Sequence, residues 1–514
     1  MSRLLLSTMR CILPVWLRLA FFLLCLLAAS TPGRSADAPL MAGAAKVDIT
    51  NLEAGPVNDR LYARALVLKQ GETTAVIVAV DAVAIGEIGY IKNDYLPNVR
   101  AKLQETLGIA PTNVVINASH CHGVVCKDVG PRTVQAVVAA AKRLEPVHIG
   151  VGRGHEDRVQ ENRRLVMKDG RVIDVRHAYS LPPDDEVAAV GPIDPEIGVL
   201  RLDRQDGSTL AVVYNFACHP IQGVLNRGNT ADMTGFSSKV IEENLGKDTV
   251  ALFVQGCAGD INPAFYKDVA HPRDAEPLGN MLGLSTLRAV RSIRPKADPR
   301  LTVVNEILEL PRADVAGRIT ELEAERTRLV DSLTGTSLNL KTFIPLVLKY
   351  NVSPDSPLYY SHRYLHEQAL GREGLAKMDA ENRSGMKRYV RNIHTMEQIT
   401  RINTNLRLLR KHQADNLAAT QRMLQVELVG LRVGDFVLTT FPGELTVKIG
   451  MNIKKQSPHE FTFVAGYTNG YIYYAPTTEQ LKNVGNAQED SDCILAPQWQ
   501  AIYEKKAAAI LRKL

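Results

Sequence analysis

Residues 113–123 have the sequence NVVINASHCHG, in which an apolar run typical of a buried strand passes directly into a polar loop. Three more apolar runs end in the same way: TAVIVAV at 74–80, LAVVYNF at 210–216 and TVALFV at 249–254. Continuous apolar runs indicate strands that are buried on both faces. Because helical spacing alternates with these strands, the sequence predicts an α/β domain. We expect a mixed or largely parallel sheet core that is flanked by helices.

The helices between these strands are predicted at 87–107 and near 132–143, and a last amphipathic helix is predicted near 497–513. Residues 312–423 differ from the rest, because they are rich in charge, helical in period and contain no long apolar strand. We therefore predict a helical insertion over 312–423. Strands resume after it, at 425–433 and 435–440.

The N-terminus has the pattern of an export signal. Basic residues precede an apolar run from Leu19 to Ser30, and the small residues around Ala36 and Ala38 follow it. This run is shorter than the roughly 18–20 residues that a membrane span needs. The sequence therefore predicts a signal peptide over 1–36, export to the periplasm or the exterior, and a mature domain over 37–514. An uncleaved anchor is the alternative.

Net charge argues against a nucleic-acid-binding protein. The chain carries 61 Lys and Arg against 55 Asp and Glu, but four of the arginines lie in residues 1–36, which contain no acid. The remainder has a net charge of only +2, and a nucleic-acid binder would keep its positive excess in the folded part.

Five of the seven cysteines lie outside the leader. Because five is an odd number, they cannot all form disulfides within one chain.

Four polar segments carry the candidate chemistry. They contain the His120 and His122 pair, His219, the small-residue loop with Asp260 and Asn262, and Glu444 with the tyrosines at 469–474. Each segment alone has an ordinary structural explanation, such as a polar loop or a carboxylate in the first turn of a helix. Together they supply two imidazoles, a carboxylate and a further oxygen donor, which is a plausible ligand set for zinc. Three of the four follow predicted buried strands, so they are expected at one edge of the sheet.

These segments resemble, in order, the motifs of the neutral/alkaline non-lysosomal ceramidases in their N-terminal catalytic domain. The family's Thr-His-Thr-His-Ser corresponds to residues 119–123, its Asn-Arg pair to residues 162–163, and its Phe-x-Val-His to residues 216–219. Its Pro-Gly-Glu-x-Thr and its Asn-x-Tyr-x-x-Tyr-x-x-Thr correspond to residues 442–446 and 469–477. The matches span about residues 42–495.

The resemblance implies a zinc site and an activity. In that family one zinc ion is held by positions that correspond to His120, His219, Glu444 and Tyr474, and the enzymes hydrolyse the amide of ceramide to sphingosine and a fatty acid. His122 and Arg163 correspond to residues that contact the reacting group. We therefore expect Zn²⁺ as the cofactor and an amide, lipid-like or small, as the substrate. The resemblance leaves peripheral contact with a membrane open.

The chain departs from the family at three points. The family's Gly-Asp-Val-Ser-Pro-Asn carries a serine that is important for activity, and Asn262 stands in its place here, two residues after Asp260. Asparagine cannot act as a hydroxyl nucleophile, but its amide can donate a hydrogen bond to an oxyanion. We expect no C-terminal immunoglobulin-like domain of the ceramidase kind. The nearest match to a family Tyr-Glu pair is Gln488-Glu489.

The sequence therefore predicts an exported zinc-dependent hydrolase of an N-acyl amide. His122 would transfer a proton or support the oxyanion, Arg163 would orient the substrate, and Asp260 and Asn262 would contribute to the site. One alternative is a cysteine nucleophile at Cys121 beside a histidine. The other is a non-catalytic, metal-stabilised binding protein of the cell envelope, which the change from serine to Asn262 favours.

Overall fold

The computed structural model describes residues 38–175, 182–246, 248–266, 268, 270–482 and 485–514. The predicted signal peptide, 1–36, lies outside the described residues. Among the described residues, no helix combines the length and the apolar character that crossing a bilayer would require.

The described strands and helices alternate irregularly along the chain. The strands are β1 Met41–Asp48, β2 Tyr62–Gln70, β3 Thr73–Val80, β4 Val114–Ala118, β5 Glu145–His155, β6 Gln160–Asn162, β7 Arg164–Met167, β8 Val172–Asp174, β9 Val187–Val190, β10 Glu196–Arg204, β11 Thr209–Phe216, β12 Val250–Gln255, β13 Ile261–Pro263, β14 Leu301–Pro311, β15 Met423–Val433, β16 Phe436–Thr440, β17 Glu444–Leu445, β18 Thr462–Ala465 and β19 Tyr474–Ala475. The helices are α1 Tyr95–Leu107, α2 Val129–Ala141, α3 Asp232–Leu245, α4 Ala275–Ser292, α5 Ala316–Ser332, α6 Leu340–Val352, α7 Ser361–Ala369, α8 Gly374–Ala418, α9 Val447–Gln456, α10 Gln488–Ser491 and α11 Trp499–Leu511.

The main sheet has eight strands in the order β12-β11-β10-β5-β1-β2-β3-β4. Only its two outermost pairs, β11–β12 and β3–β4, are parallel, and the five pairings between them are antiparallel. The predicted α/β class is confirmed, and of the two predicted sheet types the mixed one is correct. The antiparallel strands between the edges, among them β1, β5 and β10, were not among the strands predicted from apolar runs.

The sheet folds over so that its two edges meet. The strand β5 pairs with β1 only through its first residues and then with β10 along the rest of its length, which places the bend there. At the edges, the backbone N–H of Gln255 donates to Oδ1 of Asn117 at 2.8 Å, and its side-chain amide donates to the Ser119 carbonyl at 3.0 Å. The carboxyl ends of β12 and β4 are therefore neighbours.

A second sheet, ordered β14-β15-β16-β18, packs against the folded main sheet. Apolar side chains of both share one buried core, among them Leu66, Val213, Leu438 and Phe463. The pair β16–β18 is again parallel. The loop after β18 crosses to the main sheet, where the Ala118 N–H donates to the Tyr467 carbonyl at 3.1 Å. Three parallel strand pairs therefore direct their carboxyl ends to one region.

The predicted helical insertion is confirmed, since β14 ends at Pro311, β15 begins at Met423, and α5 to α8 lie between them. The 45-residue α8 buries one apolar stripe against α5, through Leu322, Ile402, Leu406 and Leu409. The helix predicted from residue 87 begins only at Tyr95. The chain takes positive φ angles at Gly86, Glu87 and Gly89, which interrupts a helix before that point.

Candidate metal centre

His120 lies directly after β4, at a backbone φ of 69°. Its N–H donates to the Ala82 carbonyl at 2.9 Å, which keeps this loop attached to the chain after β3. The imidazole is buried, and its Nδ1 lies 2.5 Å from the carbonyl oxygen of Val83. Because a carbonyl oxygen only accepts hydrogen bonds, Nδ1 carries a proton, and in the neutral ring Nε2 presents its lone pair.

His219 has the same arrangement after β11. Its Nδ1 lies 2.9 Å from the Ile261 carbonyl oxygen, and its backbone N–H donates to the same oxygen at 3.1 Å. The short strand β13, which contains Ile261 and Asn262, thus positions this ring. The two imidazoles meet edge to face, with their centroids 4.9 Å apart.

Glu444 completes a cluster of three ligand atoms that lie within 4.8 Å of one another. Its Oε2 lies 3.0 Å from Nε2 of His219, and its Oε1 lies 3.5 Å from Nε2 of His120. The carboxylate is 1% exposed. Burial alone would raise the pKa of Glu444, but positive charge on the two histidines and hydrogen bonds from His219 and the Tyr471 hydroxyl hold it well below its usual range.

This donor set fits a divalent metal ion such as zinc. With both Nδ1 atoms donating to backbone carbonyls, each Nε2 faces a carboxylate oxygen. Two bare acceptors repel one another, so either a proton or a metal ion must lie between each Nε2 and the carboxylate. Outer hydrogen bonds of this kind orient histidine ligands in metal sites. Two neutral imidazoles and one carboxylate form a known ligand set of catalytic zinc, which leaves a further position for water or substrate.

Two tyrosines that the sequence analysis did not assign to the metal hold the carboxylate. The Tyr467 hydroxyl donates to Oε2 of Glu444 at 3.2 Å, and the Tyr471 hydroxyl donates to Oε1. Burial raises the pKa of both tyrosines well above the ordinary value, which keeps them as donors. The signal that could have found Tyr467 is its position two residues after a buried apolar strand.

Tyr474, the predicted fourth ligand, is buried and pairs in register with Glu444 between β19 and β17. The guanidinium of Arg163 lies 5.5 Å from the centroid of its ring. Tyr474 therefore borders the same cluster, and its ligation of a metal stays a prediction.

The cluster opens into a cavity of about 590 Å³. The polar side chains of its wall include His120, His122, Arg163, His219, Asp232, Glu444, Tyr471, Tyr473 and Tyr474. His122 is exposed, and its ring centroid lies 5.8 Å from that of His120. It can therefore exchange protons with a molecule in the cavity without belonging to the three-atom cluster.

Arg163 reaches this cavity although it is 1% exposed. Its Nε donates to Glu489 at 3.3 Å, its Nη1 donates to Oδ1 of Asn262 at 3.3 Å, and its Nη2 donates to the Gly259 carbonyl. The carboxylate of Glu489 holds the pKa of Arg163 high despite burial, so the guanidinium stays charged. A fixed cation at the wall can orient a carbonyl or carboxylate group.

Asn262 and Asp260 lie behind this wall rather than on it. Asn262 is 1% exposed and holds Arg163, while its Nδ2 makes no hydrogen bond with the described residues. Asp260 accepts from the Val447 N–H at 2.8 Å, which caps the first turn of α9 directly after Glu444. Both positions support the cluster through neighbours, and direct roles for them in catalysis stay predictions.

Cys121 does not fit the alternative of a cysteine nucleophile. Its side chain is fully buried in the core beneath the loop, and burial raises the pKa of the thiol far above its ordinary value. A reactive cysteine needs a stabilised thiolate and access to the substrate. All five cysteines of the described residues are free thiols.

The fold and the cluster define a mixed α/β protein with a buried His-His-Glu site. Among solved structures, the neutral ceramidase from Pseudomonas aeruginosa is similar, with 18% identity over 93% of this chain and 75% of that chain and a TM-score of 0.58. A ceramidase solved in complex with C2 is similar at 17% identity, over 93% of this chain and 76% of that chain, with the same TM-score. No family model matches the sequence, and no curated protein matches it. The chain therefore has the fold of the neutral ceramidases, as the sequence motifs predicted.

Proposed function

We propose that this chain is an exported zinc-dependent hydrolase of an N-acyl amide. One observation carries the proposal: His120, His219 and Glu444 come from three distant segments and place three ligand atoms within 4.8 Å of one another beside an open cavity. The resemblance of the surrounding motifs to those of ceramidases, and the shared fold, support an amide of lipid character as the substrate.

When bound, zinc would supply a Lewis acid that polarises a carbonyl oxygen and makes a water molecule more acidic. Residues of the chain would orient the substrate and transfer the proton. Arg163, fixed by Glu489, would orient the carbonyl group, and His122 would carry the proton from the attacking water to the departing amine. Tyr471 and Tyr467 would hold Glu444 in place through their hydroxyl groups.

The test is metal analysis of the purified protein, together with turnover of a panel of N-acyl amides before and after chelation. We expect about one zinc per chain and turnover that chelation abolishes and zinc restores. Zinc binding without turnover of any amide would favour the metal-stabilised binding protein instead. Turnover that survives removal of the metal would overturn the proposal.

Export by a cleaved signal peptide over 1–36 is part of the same proposal. The basic start and the short apolar run of the leader support it. The intact mass of protein recovered from the periplasm or medium should lack about the first 36 residues, and a retained leader would favour an anchor.

A further inference from the structure

The helix α6 presents an apolar stripe to solvent. Leu340, Ile344, Leu348 and Val352 recur at every fourth position and are 60%, 49%, 61% and 83% exposed. Residues four apart lie on one face of a helix, so these side chains form a single strip about three turns long. A surface helix normally places polar residues on such a face.

The opposite face of α6 is already packed. The Phe343 ring lies 4.7 Å from that of Tyr389 on α8, and the Tyr350 hydroxyl donates to Asp379 at 2.8 Å. The helix is thus held in place by its inner side, and the outer strip is not a misplaced core face. An apolar strip held outward on a packed helix indicates an interaction surface.

The part of the insertion that carries the strip also exposes aromatic residues and is rich in basic residues. Tyr359 and Tyr360, directly before α7, are 51% and 82% exposed, and Leu365 on α7 is 64% exposed. Residues 333–395 contain nine Lys or Arg against five Asp or Glu, a net charge of +4, whereas the whole chain after residue 36 carries only +2. The positive charge of the chain is therefore concentrated in the segment of sequence that carries this apolar surface.

From these features we infer that the outer face of α6, with Tyr359 and Tyr360, binds the surface of an anionic lipid bilayer. Apolar side chains would enter the acyl boundary, tyrosines would lie at the headgroups, and lysines and arginines would contact the lipid phosphates. A second copy of the chain is a less suitable occupant, because like charges would face each other across the interface. The inference does not depend on the proposed hydrolysis, since it concerns a different surface.

The test uses a fluorescent reporter on the surface. The protein is prepared without the predicted leader, 1–36, which contains Trp16. Tyr360→Trp then places an indole in the exposed segment before α7, while Trp499 is fully buried. With vesicles of phosphatidylcholine and phosphatidylglycerol, we expect a blue shift and quenching by brominated acyl chains. Leu284→Trp on α4, where Leu284 is 54% exposed outside the insertion, is the matched control and should not respond.

Two further variants, made in the Tyr360→Trp protein, separate the contribution of the apolar side chains to vesicle binding from that of the basic side chains. Ile344→Glu with Leu348→Glu should lower vesicle binding at least about tenfold, because two apolar side chains no longer enter the bilayer. Lys341→Glu with Lys349→Glu should weaken binding to anionic vesicles and reduce its salt dependence. Both pairs change exposed positions, and thermal unfolding checks that the fold is retained.

Three results would overturn the inference. The first is an indole at position 360 that responds no more than the one at position 284. The second is equal binding of the Ile344→Glu/Leu348→Glu variant and its parent. The third is a dimer, measured by light scattering, that this double variant converts to a monomer while vesicles have no effect on the reporter.

Discussion

At the scale of single residues, the site depends on which atom of each histidine faces inward. His120 and His219 both donate from Nδ1 to a backbone carbonyl, so both direct Nε2 at Glu444. The carbonyl of Val83 belongs to the loop after β3 and that of Ile261 to the short strand β13, so each histidine is oriented by backbone that its own sequence neighbours do not supply. His122, two residues from His120, has no place in the cluster and faces the cavity instead.

Replacing His120 and His122 by alanine, one at a time, separates metal binding from proton transfer. His120→Ala should remove nearly all zinc, because only two of the three clustered ligands would be left. His122→Ala should keep the zinc content of the parent while turnover falls by about 10²–10⁴, the usual contribution of a general acid–base group. Elemental analysis and amide hydrolysis measure the two effects, and zinc loss in both variants would contradict the assignment.

The contribution of each tyrosine around Glu444 to zinc affinity can be measured in the same way. Tyr467→Phe removes a donor to the carboxylate and should weaken zinc affinity by about 10–100-fold, as for other outer partners of metal ligands. Tyr474→Phe should weaken zinc affinity at least as much if Tyr474 is the fourth ligand. Competition with a chelator measures both. Tyr503→Phe, a buried tyrosine outside the cavity, is the control and should leave zinc affinity unchanged.

At the scale of elements, the three proposed metal ligands lie at the carboxyl ends of parallel strand pairs. His120 follows β4, His219 follows β11, and Glu444 follows β16, and each of these strands has a parallel neighbour. Parallel neighbours end at the same edge, where their loops begin together. The remaining pairings of the main sheet are antiparallel and place no predicted ligand.

The loop after β12 approaches the short strand β17, which contains Glu444, backbone to backbone. Gly259 donates its N–H to the Leu445 carbonyl at 2.8 Å, and a Cβ on Gly259 would lie 2.6 Å from the Glu444 carbonyl oxygen. Gly259→Ala should therefore displace Glu444, lower stability by about 1–3 kcal/mol and reduce zinc content. Gly317→Ala on α5, where a Cβ meets nothing within 4 Å, is the control and should be neutral or slightly stabilising. Thermal unfolding and elemental analysis report both effects, and a Gly259→Ala protein with parental zinc would contradict this account.

At the scale of the whole molecule, buried charges connect the cavity wall to the helical insertion. Arg163 and Arg164 lie among Asp174, Glu489 and Asp490, and Arg164 donates to Asp490 at 2.6 Å. Arg401 of α8 donates to the Asp174 carbonyl at 2.7 Å. The C-terminal part of the insertion is thereby fixed against the site.

This network should make stability depend on pH. Burial and the neighbouring Glu489 raise the pKa of Asp174 to about 7, above the value near 4 of an unfolded chain. The folded state then holds a proton that the unfolded state has released, so stability falls as pH rises between these values. The slope is at most about 1.4 kcal/mol per pH unit.

Asp174→Asn should flatten that slope, because the amide does not titrate. Urea unfolding at several values between pH 5 and pH 8 measures it for variant and parent. Asp206→Asn is the control, since Asp206 is exposed and hydrogen bonds from Ser208 lower its pKa, so it titrates below this window. An unchanged slope in Asp174→Asn would assign the pH dependence to other groups.

Local patterns in the sequence were sufficient for the α/β class, the boundaries of the insertion and the segments that carry the ligands. The runs at 74–80 and 249–254 are apolar because both faces of those strands are buried, and this property is visible residue by residue. The motif order then suggested His120, His219 and Glu444 together. These conclusions follow from residues that are close in sequence or from the resemblance of the motifs to those of the ceramidases.

Only the tertiary structure decided how these segments meet. His219 and Glu444 are 225 positions apart, and their 3.0 Å contact depends on a main sheet that folds until its edges touch. Tyr467, Tyr471 and the carboxylates around Arg163 reach the site through such long-range contacts, which no local periodicity records. The exposed strip of α6 is likewise apolar in sequence, and only the packing of its other face shows that it points outward. Local patterns reflect the burial of each segment alone, whereas a site forms from the packing of segments against one another.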